Sequence, residues 1–161
     1  MNALKPTLVE LKQQIGAIEG VLNRPKTNFS LYAEGIPKNC IVEIAGVNKT
    51  EFITKFLEEH PKLQTVWIER EISINPYALW QRGVNLDSIL FIECKDEPIW
   101  SIQQVLKSQV FEAVILSDIQ FIDSELRKFQ LLVEKSCSHL FILTNKLHKS
   151  WVPTIQIQAN L

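Results

Sequence analysis

Five short runs of apolar and β-branched residues, separated by stretches of helical periodicity, constrain the fold of this 161-residue chain more than any other feature. Several of the runs are nearly continuous in apolar character, which is typical of strands that are covered on both faces. Strands that alternate with helices predict βαβ units and a mostly parallel sheet flanked by helices, an α/β fold. The predicted strands occupy residues 40–45, 65–69, 89–93, 113–117 and 140–144, and the predicted helices about 49–59, 75–82, 98–109 and 123–138.

The N-terminal segment has the pattern of an amphipathic helix. Leu4, Leu8, Leu11 and Ile15 recur at alternating spacings of four and three, which places an apolar stripe on an otherwise polar helix. Such a stripe either packs on its own domain or docks on a partner or a neighbouring subunit. A homo-oligomer formed through this helix is therefore one of the expectations.

Three segments follow from the remaining patterns. Residues 25–39 carry turn signals and predict a linker. Residues 154–158 alternate strictly between apolar and polar, which predicts a half-buried edge strand at the C-terminal end, expected to run antiparallel. The predicted organisation is an N-terminal helix over 1–24, the linker over 25–39 and a core domain over 40–161.

The composition is that of an ordinary globular protein. Hydrophobic residues make up 46% of the chain, charged residues 22%, and the net charge of −1 gives no electrostatic footprint for strong, direct DNA or anionic-membrane binding. No apolar run approaches the length that spans a bilayer, and the first residues lack the apolar core of a secretory signal. We therefore expect a cytoplasmic protein.

The three cysteines and three histidines are too scattered to predict a metal site or a disulfide framework. Cys40, Cys94 and Cys137 are widely spaced, without a C-x-x-C pair, which favours reduced and mostly buried thiols. Cys137 and His139 are neighbours, and we expect both at the edge of the core. No metal and no cofactor is predicted.

A shortened loop follows the first predicted strand of the core. A phosphate-binding loop needs G-x-x-x-x-G-K-[ST], because several consecutive backbone N–H groups must wrap a phosphate. Here Gly46 is followed by only Val47 and Asn48 before Lys49 and Thr50. A chain that rises at most ~3.6 Å per residue cannot curl around a phosphate in that space. Lys49 and Thr50 are either a relic of the Lys-[ST] pair or the exposed first turn of a helix.

The order of the motifs resembles the RecA core and, more narrowly, its shortened relatives of the SulA and ImuA type. Residues 34–46 (EGIPKNCIVEIAG) look like the turn and strand before the nucleotide loop, and residues 67–78 (WIEREISINPYA) look like the strand and loop of the catalytic glutamate. Residues 82–90 (RGVNLDSIL) look like the passage into the next strand. Residues 113–118 (AVILSD) look like the Walker B strand, and residues 140–146 (LFILTNK) look like the strand of the Asn-Gln sensor.

The resemblance implies a nucleotide site that has lost its activity. Its relic positions are Gly46, Lys49, Thr50, Glu71, Asp118 and Asn145. ATP hydrolysis needs phosphates, metal and water held together, and without the loop the two acids have nothing to act on, so no catalytic residue is predicted. As alternatives, Asp118 caps the following turn, and Glu71 pairs with Arg70 or Lys49.

The resemblance also implies a function in protein binding. An ImuA-like protein would be a non-catalytic accessory factor in DNA damage, bound to RecA or to a translesion polymerase assembly. A SulA-like protein would inhibit cell division by binding FtsZ, and a third alternative is a divergent ATP hydrolase. The candidate contact residues, besides the N-terminal stripe, are three tryptophans, whereas Trp67 is expected in the core. They are Trp80, Trp100 and Trp151.

Overall fold

The computed structural model describes residues 24–149 and 152–160, and its strands and helices alternate as the sequence predicts. The strands are β1 (Lys26–Phe29), β2 (Tyr32–Pro37), β3 (Ile41–Ala45), β4 (Thr65–Glu69), β5 (Ile89–Glu93), β6 (Ala113–Ser117), β7 (His139–Thr144) and β8 (Ile155–Gln158). The helices are α1 (Lys49–Glu59), α2 (Pro76–Gln81), α3 (Pro98–Ser108) and α4 (Asp123–Glu134), with a short 3₁₀ helix at Leu86–Ser88. The predicted helix over 1–24 lies outside the described residues, apart from Arg24.

A six-stranded parallel sheet, in the order β5-β4-β6-β7-β3-β8, forms the centre of the fold. The expectation of an antiparallel C-terminal strand is wrong, since β8 runs parallel to β3 and pairs Val42 with Ile155. Before β8 begins, the chain returns to the start of β3, where the Thr154 N–H donates to the Ile41 carbonyl oxygen, 3.0 Å away. From there β8 can run in the same direction as β3. All six strands therefore end at the same edge of the sheet.

Each face of the sheet is covered by its own layer. On one face, Phe52 and Phe56 of α1 pack against strand residues that include Trp67, which is 1% exposed, as expected of a core residue. On the other face, α3 and α4 cover the sheet with residues such as Ile102 and Phe129. No helix within the described ranges is long and apolar enough to cross a membrane.

The segment predicted to be a linker forms an antiparallel hairpin of β1 and β2. Phe29 and Ile36 are buried in the core cluster beneath α1. This burial stabilises the hairpin, and the turn signals in the sequence conceal it. His139 fastens the hairpin to β7. Its Nδ1 lies 3.1 Å from the Pro37 carbonyl oxygen and its Nε2 lies 2.8 Å from Thr27 Oγ1.

The cysteines follow the prediction in part. All three are free thiols; Cys40 and Cys94 are buried, and burial raises the pKa of both. Cys137, expected beside His139 at the edge of the core, is exposed. The reason is that β7 begins only at His139, so the turn before it points Cys137 to solvent.

The buried imidazole of His139 predicts a specific acid sensitivity. Burial lowers its pKa from 6.5 to about 4. Between these two pH values, His139 is therefore protonated in the unfolded chain but not in the folded chain. The free energy of unfolding should fall as the pH drops from about 6.5 to about 4, by up to about 3 kcal/mol. Urea unfolding of the native chain and of His139→Gln across this range measures it. Equal pH slopes in the two proteins would contradict the assignment.

Candidate functional site

A half-open cleft of about 730 Å³ lies at the edge of the sheet where the parallel strands end. Polar side chains converge there because β3, β6 and β7 are neighbours, or near neighbours, that run in the same direction. Four of the predicted relic residues line this cleft, and a lysine and a histidine from the segment after β7 join them. The lining includes Lys49, Thr50, Asp118, Asn145, Lys146 and His148.

The shortened loop at the start of the cleft is closed by the segment that follows β8. The Asn48 N–H donates to the Ala159 carbonyl oxygen at 3.1 Å, and the Ala159 N–H donates to the Ala45 carbonyl oxygen at 2.6 Å. Gly46 has φ +111°, and a Cβ atom at this position would lie 2.5 Å from the Ala159 oxygen. The space and the backbone donor that a phosphate would need are therefore occupied by the protein itself. Only the fold reveals the role of Ala159.

Two of the predicted relic positions bind each other. The Lys49 ε-ammonium donates to Asn145 Oδ1 at 2.6 Å, which joins the start of α1 to the end of β7. Lys49 and Thr50 form the first turn of α1, and both are half-buried. The arrangement is a structural link across the cleft.

The two predicted acids are not brought together. Asp118 follows β6 directly, lines the cleft and is exposed, with its backbone at φ +56°. Glu71 is also exposed, but it lies outside the cleft lining on the connection after β4. Only one of the two acids that the resemblance assigns to the relic site thus lines the cleft.

Glu69, a buried carboxylate that the sequence analysis missed, stands at the end of β4. It accepts hydrogen bonds from Trp67 Nε1 at 2.9 Å, from Ser73 N at 2.5 Å and from Ser73 Oγ at 3.1 Å. Three donors satisfy the charge and hold the loop after β4 against the sheet. The side chain therefore has a structural role.

A second buried carboxylate, Glu43, supports the wall of the cleft. It is fully buried, and its Oε1 lies 2.7 Å from both the backbone N and the Nδ1 of His148. Gln156 Nε2 donates to its other oxygen at 3.0 Å. The sequence contains a signal for this role, since a glutamate in the middle of a strand that is covered on both faces needs polar partners. Glu43 thereby fixes the segment that lines the cleft after β7.

The candidate contact residues that the structure describes are exposed. Trp80 is 58% exposed and stacks on Tyr77 with 5.6 Å between ring centroids, and Trp100 is 59% exposed. Trp151 and the stripe of Leu4, Leu8, Leu11 and Ile15 lie outside the described residues. Within the described ranges, no three His, Cys, Asp or Glu residues are grouped as metal ligands.

The comparisons with known proteins show a likeness in fold. No protein-family model matches the chain, and no curated protein matches it. Among solved structures it is similar to SulA from Pseudomonas aeruginosa, with a TM-score of 0.52 and 14% sequence identity over 65% of this chain and 96% of that chain. The likeness shows a SulA-like α/β fold. The resemblance to RecA and to ImuA stays a prediction from the sequence motifs.

The closure of the loop predicts that Gly46 is the most sensitive glycine of the described chain. Gly46→Ala should lower the free energy of unfolding by about 2 kcal/mol or more, because both the positive φ and the contact with Ala159 oppose a Cβ atom. Gly83→Ala is the matched control, since Gly83 also has a positive φ but its nearest atom, Glu58 Cγ, is 3.5 Å away. Urea unfolding compares the two, and equal losses would contradict the packing argument.

Proposed function

We propose that this chain is a non-catalytic α/β protein of the DNA-damage response that acts by binding another protein. The observation that carries the proposal is the occupied phosphate loop, in which the Asn48 N–H is bound to Ala159 and the Lys49 ammonium to Asn145. The sequence resemblance supplies the DNA-damage context.

Nucleotide binding at this loop would first have to break native interactions. A phosphate would have to displace the Ala159 carbonyl from the loop amide and draw Lys49 away from Asn145. Even then, the loop has too few residues to present several N–H groups to one phosphate. Glu71, one of the two acids of the relic site, is also not among the residues that line the cleft.

Exposed aromatic side chains are the surfaces that favour protein binding. Trp80 and Tyr77 stack on each other in solvent, and Trp100 lies on a different helix, α3. Tryptophan is enriched among the residues that dominate binding energy at interfaces. Of the partners that the sequence resemblance implies, the SulA-like fold favours the cell-division protein FtsZ over RecA or a translesion polymerase.

The occupied loop predicts that the chain does not bind magnesium ATP. Isothermal titration of the chain with the magnesium nucleotide should give no saturable heat, and the Lys49→Ala variant should behave in the same way. A saturable heat in the native chain that is lost in Lys49→Ala would contradict the proposal and favour the divergent hydrolase.

Assembly of purified FtsZ with GTP tests the proposed partner. Adding the chain should reduce polymer formation, measured by light scattering and sedimentation, in proportion to the amount added. Trp80→Ala and Trp100→Ala each probe an exposed aromatic, and the one that contacts the partner should weaken the effect by about tenfold or more. Leu131→Ala is the control, since Leu131 is an exposed apolar residue on α4.

The alternative partners predict a different result in the same test. If FtsZ assembly is unchanged and the chain instead captures RecA or a translesion polymerase component, the SulA-like assignment is wrong and the ImuA-like one is favoured. If the chain affects none of these proteins, the proposed binding function is wrong.

A further inference from the structure

One edge of the sheet is an open strand with free hydrogen-bonding groups. Among the described residues, β5 pairs only with β4. The Cys94 N–H donates to the Glu69 carbonyl oxygen at 2.9 Å, and backbone groups alternate in direction along a strand. It follows that Phe91 and Glu93 direct their N–H and C=O groups away from the sheet, whereas Ile89 offers only its C=O there, because its N–H is bound to the Leu86 carbonyl oxygen.

Among the described residues, this edge lacks most of the features that normally prevent strand association, and its single charge, Glu93, stands at the end of the strand. Natural edge strands are guarded by lysines, prolines, bulges or a covering element. The β5 sequence ILFIE has no proline, glycine or lysine, and its five pairs with β4 are in continuous register. Leu90 is 49% exposed. The opposite edge strand, β8, differs in that it carries two exposed glutamines, Gln156 and Gln158.

We propose that β5 is a self-association edge, which pairs antiparallel with β5 of a second copy of this chain about a two-fold axis. The register that pairs the whole of β5 places the axis at its middle residue, so that Phe91 faces Phe91 of the second copy, and the outward direction of the odd-numbered residues makes this a hydrogen-bonded pair. Ile89 then lies opposite Glu93 of the second copy, and Leu90 opposite its Ile92. The two sheets become one continuous sheet.

The charges around the strand favour a second copy as the occupant. In this register the two Glu93 side chains face Ile89 and not each other, so no like charges oppose one another. Beyond each end of the ladder, Lys95, which pairs with Glu93 of its own chain at 3.6 Å, comes near Asp87 of the second copy, which lies in the 3₁₀ helix before β5. Both residues are exposed, and opposite charges at cross-strand positions stabilise the pairing. The β5 edges of two copies of the chain are thus complementary in apolar pattern and in charge.

The aromatic pair on α2 lies close to this edge. The helix packs against the 3₁₀ helix Leu86–Ser88, which leads directly into β5. The proposal concerns association of the chain with itself and holds whichever partner protein it binds.

Sedimentation velocity of the full chain over a dilution series tests the proposal. The native chain should pass from monomer to dimer as its concentration rises. Leu90→Lys should raise the dissociation constant by about tenfold or more, because it adds a guarding lysine to the edge. Leu131→Lys, a matched exposed position on α4, should leave the constant unchanged. A chain that stays monomeric, or a dimer that Leu90→Lys does not weaken, would overturn the proposal.

A charge exchange tests the register and does not depend on the core. Lys95→Asp and Asp87→Lys should each weaken the dimer by about threefold to tenfold, since each places like charges together at both ends of the ladder. The double variant should restore native affinity, because the pairs then form with their signs exchanged. If the double variant is as weak as the single ones, the proposed register is wrong.

Hydrogen exchange separates self-association from coverage of the edge by the chain itself. The amides of Phe91 and Glu93 should become protected as the protein concentration rises. Protection that is the same at all concentrations would show that another part of the same chain covers β5, and this result would overturn the proposal.

Discussion

Parallel pairing of the six central strands is the constraint on which the rest of the structure depends. Parallel neighbours cannot be joined by tight turns, so each connection must cross over the sheet and cover one of its faces. The strands consequently end at one edge, and the loops that follow them meet there. Lys49, Asp118 and Asn145 are assembled in one cleft for this reason, whether or not a ligand binds.

The sequence predicts the main elements well because both faces of the sheet are covered. The runs at 65–69, 89–93 and 113–117 coincide with β4, β5 and β6, and α1 spans the predicted 49–59. Patterns of that kind depend on burial, which leaves a strong mark on composition. The direction of β8 was missed because it depends on pairing with β3, more than one hundred positions away, and the hairpin was missed because turn signals conceal the burial of Phe29 and Ile36.

The cleft was predicted less completely than the fold. The resemblance placed Lys49, Asp118 and Asn145 at one edge, and the structure brings them there. It could not indicate that Asn145 binds Lys49, or that Ala159 occupies the loop, since side-chain and main-chain partners are set by tertiary packing. The buried Glu43 and Glu69 were overlooked because each looks like an ordinary polar interruption in an apolar strand, although each has three hydrogen-bond donors around it.

The link between His139 and the hairpin has a consequence for the order of folding. Thr27 Oγ1 and His139 Nε2 are 112 residues apart in the chain, and closing so long a loop costs considerable entropy. The strand that anchors the hairpin is synthesised long after the hairpin itself. Phe29 can already pack on α1, where the rings of Phe52 and Phe56 lie 5.0 and 5.3 Å from its own, but the contact with His139 has to wait for β7. The hairpin is therefore held by one contact that is near in sequence and by one that we expect to form late in folding.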